Sequence, residues 1–309
     1  MSSFGGTTTR RRALGLAGSS GLALFAAASG WPKALGVPEP DGARASGAAA
    51  GAPSTNAASF QSQALRSRLH FVVHAPASYA SGSGRYPVVY FLHGLPASPS
   101  SYLHLDWVSA ALARTGREGL LVIPQGTRVA DGDPEYHDWG PGDNWETAIA
   151  RELPVWMDAN YRTRADRGGR AIVGYSAGGY GAAIIGLRHP EQFSVVQSWS
   201  GYFRPTDPSG RHPLSVGSTR ENEDASVEDL VPALATQFAR HPTAFAFYVG
   251  ASDPTFVPAN TALERALTNA GVEHLFRLYA GGHTTALWQA HAPAWLAHAA
   301  DSLSGAPTL

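Results

Sequence analysis

No cysteine occurs anywhere in the sequence. Disulfides are therefore excluded as a source of stability, and so is a lipid anchored on a cysteine. The core must stand on burial alone, which a chain of 309 residues is long enough to supply. Charge is sparse as well, at 15% of residues, and nearly balanced between 23 basic and 24 acidic side chains. Lysine occurs once, as Lys33, so arginine is the only strong base beyond it. No basic stripe interleaved with aromatics is present, which argues against a nucleic-acid partner. No apolar run is long and hydrophobic enough for a membrane span, so stable membrane insertion is not expected.

The N-terminal residues have the features of an export signal. Arg10, Arg11 and Arg12 form a basic start, an Ala- and Gly-rich apolar run follows, and Ala26, Ala27 and Ala28 supply small residues for cleavage. Residues 1–30 are thus expected to be a signal of the twin-arginine type, read by the twin-arginine translocation machinery, and the protein is expected to be secreted. Residues 31–59, rich in Ala, Gly, Ser and Pro without apolar periodicity, are expected to be a flexible spacer. Five basic residues (Arg10, Arg11, Arg12, Lys33, Arg44) and two acidic ones (Glu39, Asp41) precede Phe60, so the remaining domain, residues 60–303, is mildly acidic.

Within that domain one stretch stands out. Residues 170–175 read as a short buried strand and residues 177–189 as a helix stopped by Pro190. Between them lies Gly174-x-Ser176-x-Gly178, the spacing of a nucleophile elbow. The turn lifts the serine hydroxyl clear of a sheet edge, and strand and helix approach too closely for side chains two positions either side. The helix start behind the serine offers free N–H groups to an oxyanion.

The other elements follow from pattern. Residues 69–74 alternate as an early strand, placed at a sheet edge. Residues 87–92 form a continuous apolar strand ending in His93-Gly94-Leu95-Pro96, and residues 120–124 form another. A helix is expected over 107–114. The loop 125–142 carries Asp131, Asp133, Glu135 and Asp138, but Tyr136 stands where a calcium loop needs glycine, so a solvated loop without metal is expected. A helix from Asp143, with Glu146 at the capping-box position and a kink at Pro154, runs to about Tyr161. Strands are expected at 195–199, 244–249 and 275–279, with helices at 227–239 and 262–270. The segment 200–225 is long enough for a lid or pocket rim.

Strand and helix alternation predicts an α/β fold with a mainly parallel central sheet and helices on both faces. Functional groups gather at the C-terminal strand ends of such sheets. Ser176, Asp253 and His283 each fall on one, in the order Ser…Asp…His used by α/β-hydrolases. Leu95 and Ala177 are the expected oxyanion N–H donors. Tyr102, Trp107, Tyr136, Trp139, Trp199, Tyr202 and Phe203 lie in segments expected to rim a substrate pocket.

Several of these residues carry a family resemblance. His93-Gly94, Trp145-Glu146-Thr147, Glu152-Leu153-Pro154, Gly174 through Ala182, Arg188-His189-Pro190 and Gly281-Gly282-His283 with Trp288 resemble an esterase family of the α/β-hydrolase superfamily. That branch includes esterase D, secreted feruloyl and acetylxylan esterases, and the mycobacterial mycolyltransferases. The resemblance implies the α/β-hydrolase fold and the same Ser176, Asp253, His283 triad. The expected activity is hydrolysis of a small-molecule or polysaccharide-linked ester through an acyl-enzyme, with no metal or organic cofactor. The alternatives are acyl transfer to a sugar hydroxyl and a non-catalytic binding protein on a hydrolase scaffold.

Overall fold

The computed structural model describes residues 53–131, 133–207 and 212–303. The expected export signal lies outside them. In chain order the elements are β1 (Ser54–Ser62), β2 (Ser67–Ala75), β3 (Val88–Leu92), α1 (Asp106–Arg114), β4 (Leu120–Pro124), α2 (Trp145–Thr147) and α3 (Leu153–Asn160). Then come β5 (Arg170–Tyr175), α4 (Ala177–Arg188), β6 (Val195–Trp199), α5 (Thr219–Asp224), α6 (Val227–Arg240), β7 (Ala244–Gly250), α7 (Val257–Asn269), β8 (Leu275–Tyr279) and α8 (Thr285–Leu303).

The strands form one eight-stranded sheet in the order β1-β2-β4-β3-β5-β6-β7-β8. β1 and β2 are antiparallel to their neighbours, and β4 through β8 run parallel. Strand side chains alternate between two cores, as a period of two requires. Val88, Tyr90 and Leu92 of β3 join a core with α3, α4, α6 and α7, while Val89 and Phe91 join one with α1 and α8. Among the described residues no helix is long and apolar enough to cross a membrane.

Strand order places a switch at β3 and β5. From β3 the chain moves outward to β4, then returns to lay β5 on the other side of β3. The C-terminal ends of β3 and β5 therefore open a crevice between connections that leave in opposite directions.

Several expectations are corrected. Residues 54–59, expected to belong to a spacer, are part of the sheet, because β1 pairs along its whole length with β2, from Ser54↔Ala75 to Ser62↔Ser67. The strand at 69–74 is consequently not an edge; β1 covers it. The helix beginning near Asp143 is broken, with a wide turn over Ala148–Glu152 between α2 and α3, just ahead of Pro154 in the first turn of α3. Proline has no N–H for the regular ladder, so the register widens there. The loop 125–142 is only partly solvated: Val129 and Asp138 are exposed, but Pro134, Glu135, Tyr136 and His137 are buried where it crosses α4. Tyr136 packs on Gly181, where a Cβ would meet its ring at 2.5 Å, and His137 Nε2 lies 2.6 Å from the Tyr180 hydroxyl. α7 also starts five residues earlier than its apolar pattern suggested, with Pro258 in its first turn.

Glu146 is not a capping residue either. No side chain caps α2, and Glu146 turns inward to accept from His189 Nε2 at 2.9 Å, with Arg188 at 3.3 Å. It thereby ties α2 to the end of α4. Burial pushes its carboxyl upward, but the His189 hydrogen bond and the Arg188 charge outweigh burial and hold its pKa below 4.5. A depressed folded-state pKa adds stability above the unfolded value and loses it as pH falls through the folded value. Glu146→Gln is therefore expected to lower unfolding free energy by about 1–3 kcal/mol near neutrality. Denaturant midpoints should show that deficit shrinking as pH is lowered below the normal carboxylate range; a pH-independent deficit would argue against the ion pair as its cause.

Candidate active site

The turn from β5 to α4 is as tight as its sequence suggested. Ser176 has φ 55° and ψ −125°, a left-handed φ that a side-chain-bearing residue holds only under constraint. The constraint comes from close backbone approach. A Cβ on Gly174 would lie 2.1 Å from the Gly178 carbonyl oxygen, and one on Gly178 would lie 2.2 Å from that of Leu92. These contacts are backbone on both sides, so no rotamer change relieves them. Gly178→Ala is expected to cost about 3 kcal/mol or more. A near-normal denaturant midpoint would show that β3 and α4 can separate, contrary to this packing.

β7 and β8 deliver the partners. Asp253 leaves the end of β7 and is only 2% exposed. Its Oδ1 accepts from the Thr255 and Phe256 N–H groups, each at 3.1 Å, which fixes the carboxylate plane. Oδ2 lies 2.9 Å from His283 Nδ1, and His283 Nε2 lies 2.9 Å from Ser176 Oγ. A carboxylate can only accept, so Nδ1 carries the proton and Nε2 is left to accept from the serine hydroxyl. The imidazole is flanked by Phe256, with ring centroids 4.9 Å apart, and by Trp288 at 5.1 Å and 89°. Trp288 is itself held by donating from Nε1 to Ser200 Oγ at 3.1 Å and by contact with Tyr175. The structure thus brings Ser176, His283 and Asp253 into one hydrogen-bonded line.

Leu95 leaves β3 and Ala177 opens α4, and both line one hollow. Gly94 lets the β3 loop approach, since a Cβ there would come 2.8 Å from Ser176 Cβ. The rest of the hollow comes from the crossing loop, through Asp133, Glu135 and Tyr136, together with His93. Burial lowers His93 to about 4, leaving the ring neutral.

The aromatic expectations fare less well. Trp199 is fully buried against Phe91 and Tyr248, because its position on β6 points it into the core under α8. Tyr202 is buried between Tyr180 and Phe256, and its hydroxyl donates to Glu135. Tyr102 and Phe203 are core residues too. Trp107 and Trp139 keep partial exposure, and Tyr136 alone of the set lines the hollow. The acids at 133 and 135 went unassigned as site residues, since nothing in their local sequence signals burial.

Comparison with known proteins identifies the family and the fold. The family described as "Putative esterase" matches residues 62–299. The fold is that of the α/β-hydrolase esterases, and the chain belongs to this family. An esterase of Mycobacterium tuberculosis is 31% identical over 143 residues, covering 46% of this chain and 31% of that one. The diacylglycerol acyltransferase/mycolyltransferase Ag85C of Mycobacterium avium is 33% identical over 138 residues, covering 42% of this chain and 37% of that one. The matched region thus spans roughly a third of each of these curated relatives. A solved ferulic acid esterase superposes with a TM-score of 0.67 at 25% identity, over 81% of this chain and 98% of that one.

Proposed function

We propose that this protein is a serine carboxylic ester hydrolase acting by double displacement. The observation that carries the reading is the hydrogen-bonded line Ser176–His283–Asp253, with both links at 2.9 Å. His283 Nε2 takes the proton of Ser176 as Oγ attacks the ester carbonyl carbon. Asp253 holds the tautomer and stabilises the imidazolium. The Leu95 and Ala177 N–H groups receive the oxyanion, each such donor being worth about 2.7–4 kcal/mol. Collapse expels the alcohol, which takes the proton from His283. Water then attacks the acyl-enzyme by the same route in reverse, releasing the acid. No step calls on a metal or an organic cofactor.

Acyl transfer is the second reading, favoured by the similarity to a relative named as an acyltransferase. It differs only in the final acceptor, a sugar hydroxyl in place of water. Arg10 to Arg12 and the small-residue run after them support secretion through the twin-arginine route, with the ester substrate met outside the cell.

The test is hydrolysis of p-nitrophenyl esters of increasing acyl length, with product analysis in the presence and absence of a sugar acceptor. A burst of p-nitrophenol and an acyl adduct on the peptide containing Ser176 are expected. Diversion of the acyl group to the sugar would favour transfer. A folded protein that neither turns over any ester nor reacts with a fluorophosphonate would be a binding protein on a hydrolase scaffold, and the proposal would fall.

A further inference from the structure

The hollow beside Leu95 and Ala177 presents acceptors and nothing cationic. Asp133 Oδ2 is buried and has no hydrogen-bond partner. His93, 2% exposed, lines the same hollow with Nε2 also unpartnered. Its Nδ1 faces the Gly94 carbonyl at 3.1 Å, so Nδ1 donates and Nε2 is left as an acceptor. Glu135, 1% exposed, receives the Tyr202 hydroxyl on both oxygens at 2.6 Å, which leaves it further lone pairs. Glu135 and Tyr136 both have positive φ, at 49° and 59°. None of the residues lining the hollow is an arginine or lysine. Burial raises both carboxyls, and Asp133 raises Glu135 further, with Asp207 adding to the repulsion.

The cavity is about 10 Å³, room for roughly one water-sized group. It suits one functional group. A hydroxyl brings one donor to three acceptor groups and leaves the carboxylate charge uncompensated. A primary ammonium brings three donors and the missing positive charge.

We propose that this hollow is a subsite for a primary ammonium group carried beside the ester carbonyl, so that the preferred acyl donors are amino-acid esters with a free α-amino group. The inference rests on the reading of Ser176 as nucleophile. Because the hollow adjoins the oxyanion donors, an α-substituent on the acyl group reaches it while the carbonyl oxygen meets Leu95 and Ala177.

The experiment compares three p-nitrophenyl esters that share a three-carbon acyl skeleton, those of L-alanine, lactate and propionate, using the full chain. Each kcat/KM is divided by the uncatalysed rate to remove intrinsic reactivity. The alanine ester is expected to exceed propionate by at least about tenfold, with lactate between them. Asp133→Ala should bring the alanine-to-propionate ratio to near one, and Asp133→Asn should restore it only in part. Equal rates in the wild type, lactate ahead of alanine, or a preference that survives Asp133→Ala would each overturn the subsite. Should Asp133→Ala not fold, the wild-type order of the three esters decides. Propionate turnover with a flat ratio sinks the subsite alone. No turnover together with no fluorophosphonate labelling at Ser176 sinks the esterase reading, and the subsite with it.

Discussion

Ser176→Ala is expected to lower ester kcat by a factor on the order of 10⁶. The substitution keeps Cβ, so the contact with Gly94 and the close approach of β3 to α4 remain. What disappears is Oγ, the one atom within 2.9 Å of His283 Nε2 that can attack a carbonyl. Hydrolysis then falls to whatever water achieves beside intact oxyanion donors, commonly 10³–10⁴ above the uncatalysed rate. Fluorophosphonate labelling should vanish in parallel, while the denaturant midpoint stays within about 1 kcal/mol of the parent. Retention of more than a few percent of turnover in a folded variant would move the nucleophile elsewhere.

The elbow could be read from sequence because its constraints are local. Gly174 and Gly178 are glycine for the sake of backbone contacts two residues from Ser176, and the strand and helix around them declare themselves by apolar runs. Asp253 and His283 were legible for the same reason, each being the polar residue that follows a strand of apolar period. What escaped depends on contacts far along the chain. β1 reads Ser-Thr-Asn-Ala-Ala-Ser, a spacer composition, yet its partner β2 supplies the apolar alternation for both. An edge strand needs little hydrophobicity on its open side.

Glu146 shows the limit from the other direction. A capping box and a buried ion pair both call for glutamate after a short polar residue, and only the arrival of His189, 43 residues later, decides between them. The pocket aromatics failed similarly. Trp199 sits beside the site in sequence terms, as the last residue of β6, but strand alternation turns it under the sheet. Asp133 and Glu135 were read as solvated because acids in a Gly- and Pro-rich loop normally are. The crossing of that loop over α4 buries them, and no residue within the loop announces the crossing.

Asp253→Asn is the substitution whose geometry leaves least freedom. Asp253 Oδ1 is held by two N–H donors, from Thr255 and Phe256, so the amide of an asparagine must keep its oxygen there. The NH₂ is then forced to face His283 Nδ1. A donor at that position makes Nδ1 the acceptor and moves the imidazole proton to Nε2, where it points at Ser176 Oγ. The base now holds the proton it should receive, and the imidazolium has lost its counter-charge. A loss in kcat of about 10⁴ is expected with little change in KM or thermal midpoint. Phe256 and Trp288 keep the ring in place on either side, so a misplaced histidine would not account for the loss. Near-normal turnover in Asp253→Asn would mean that another carboxylate orients His283 during catalysis, and the line from β7 would be structural only.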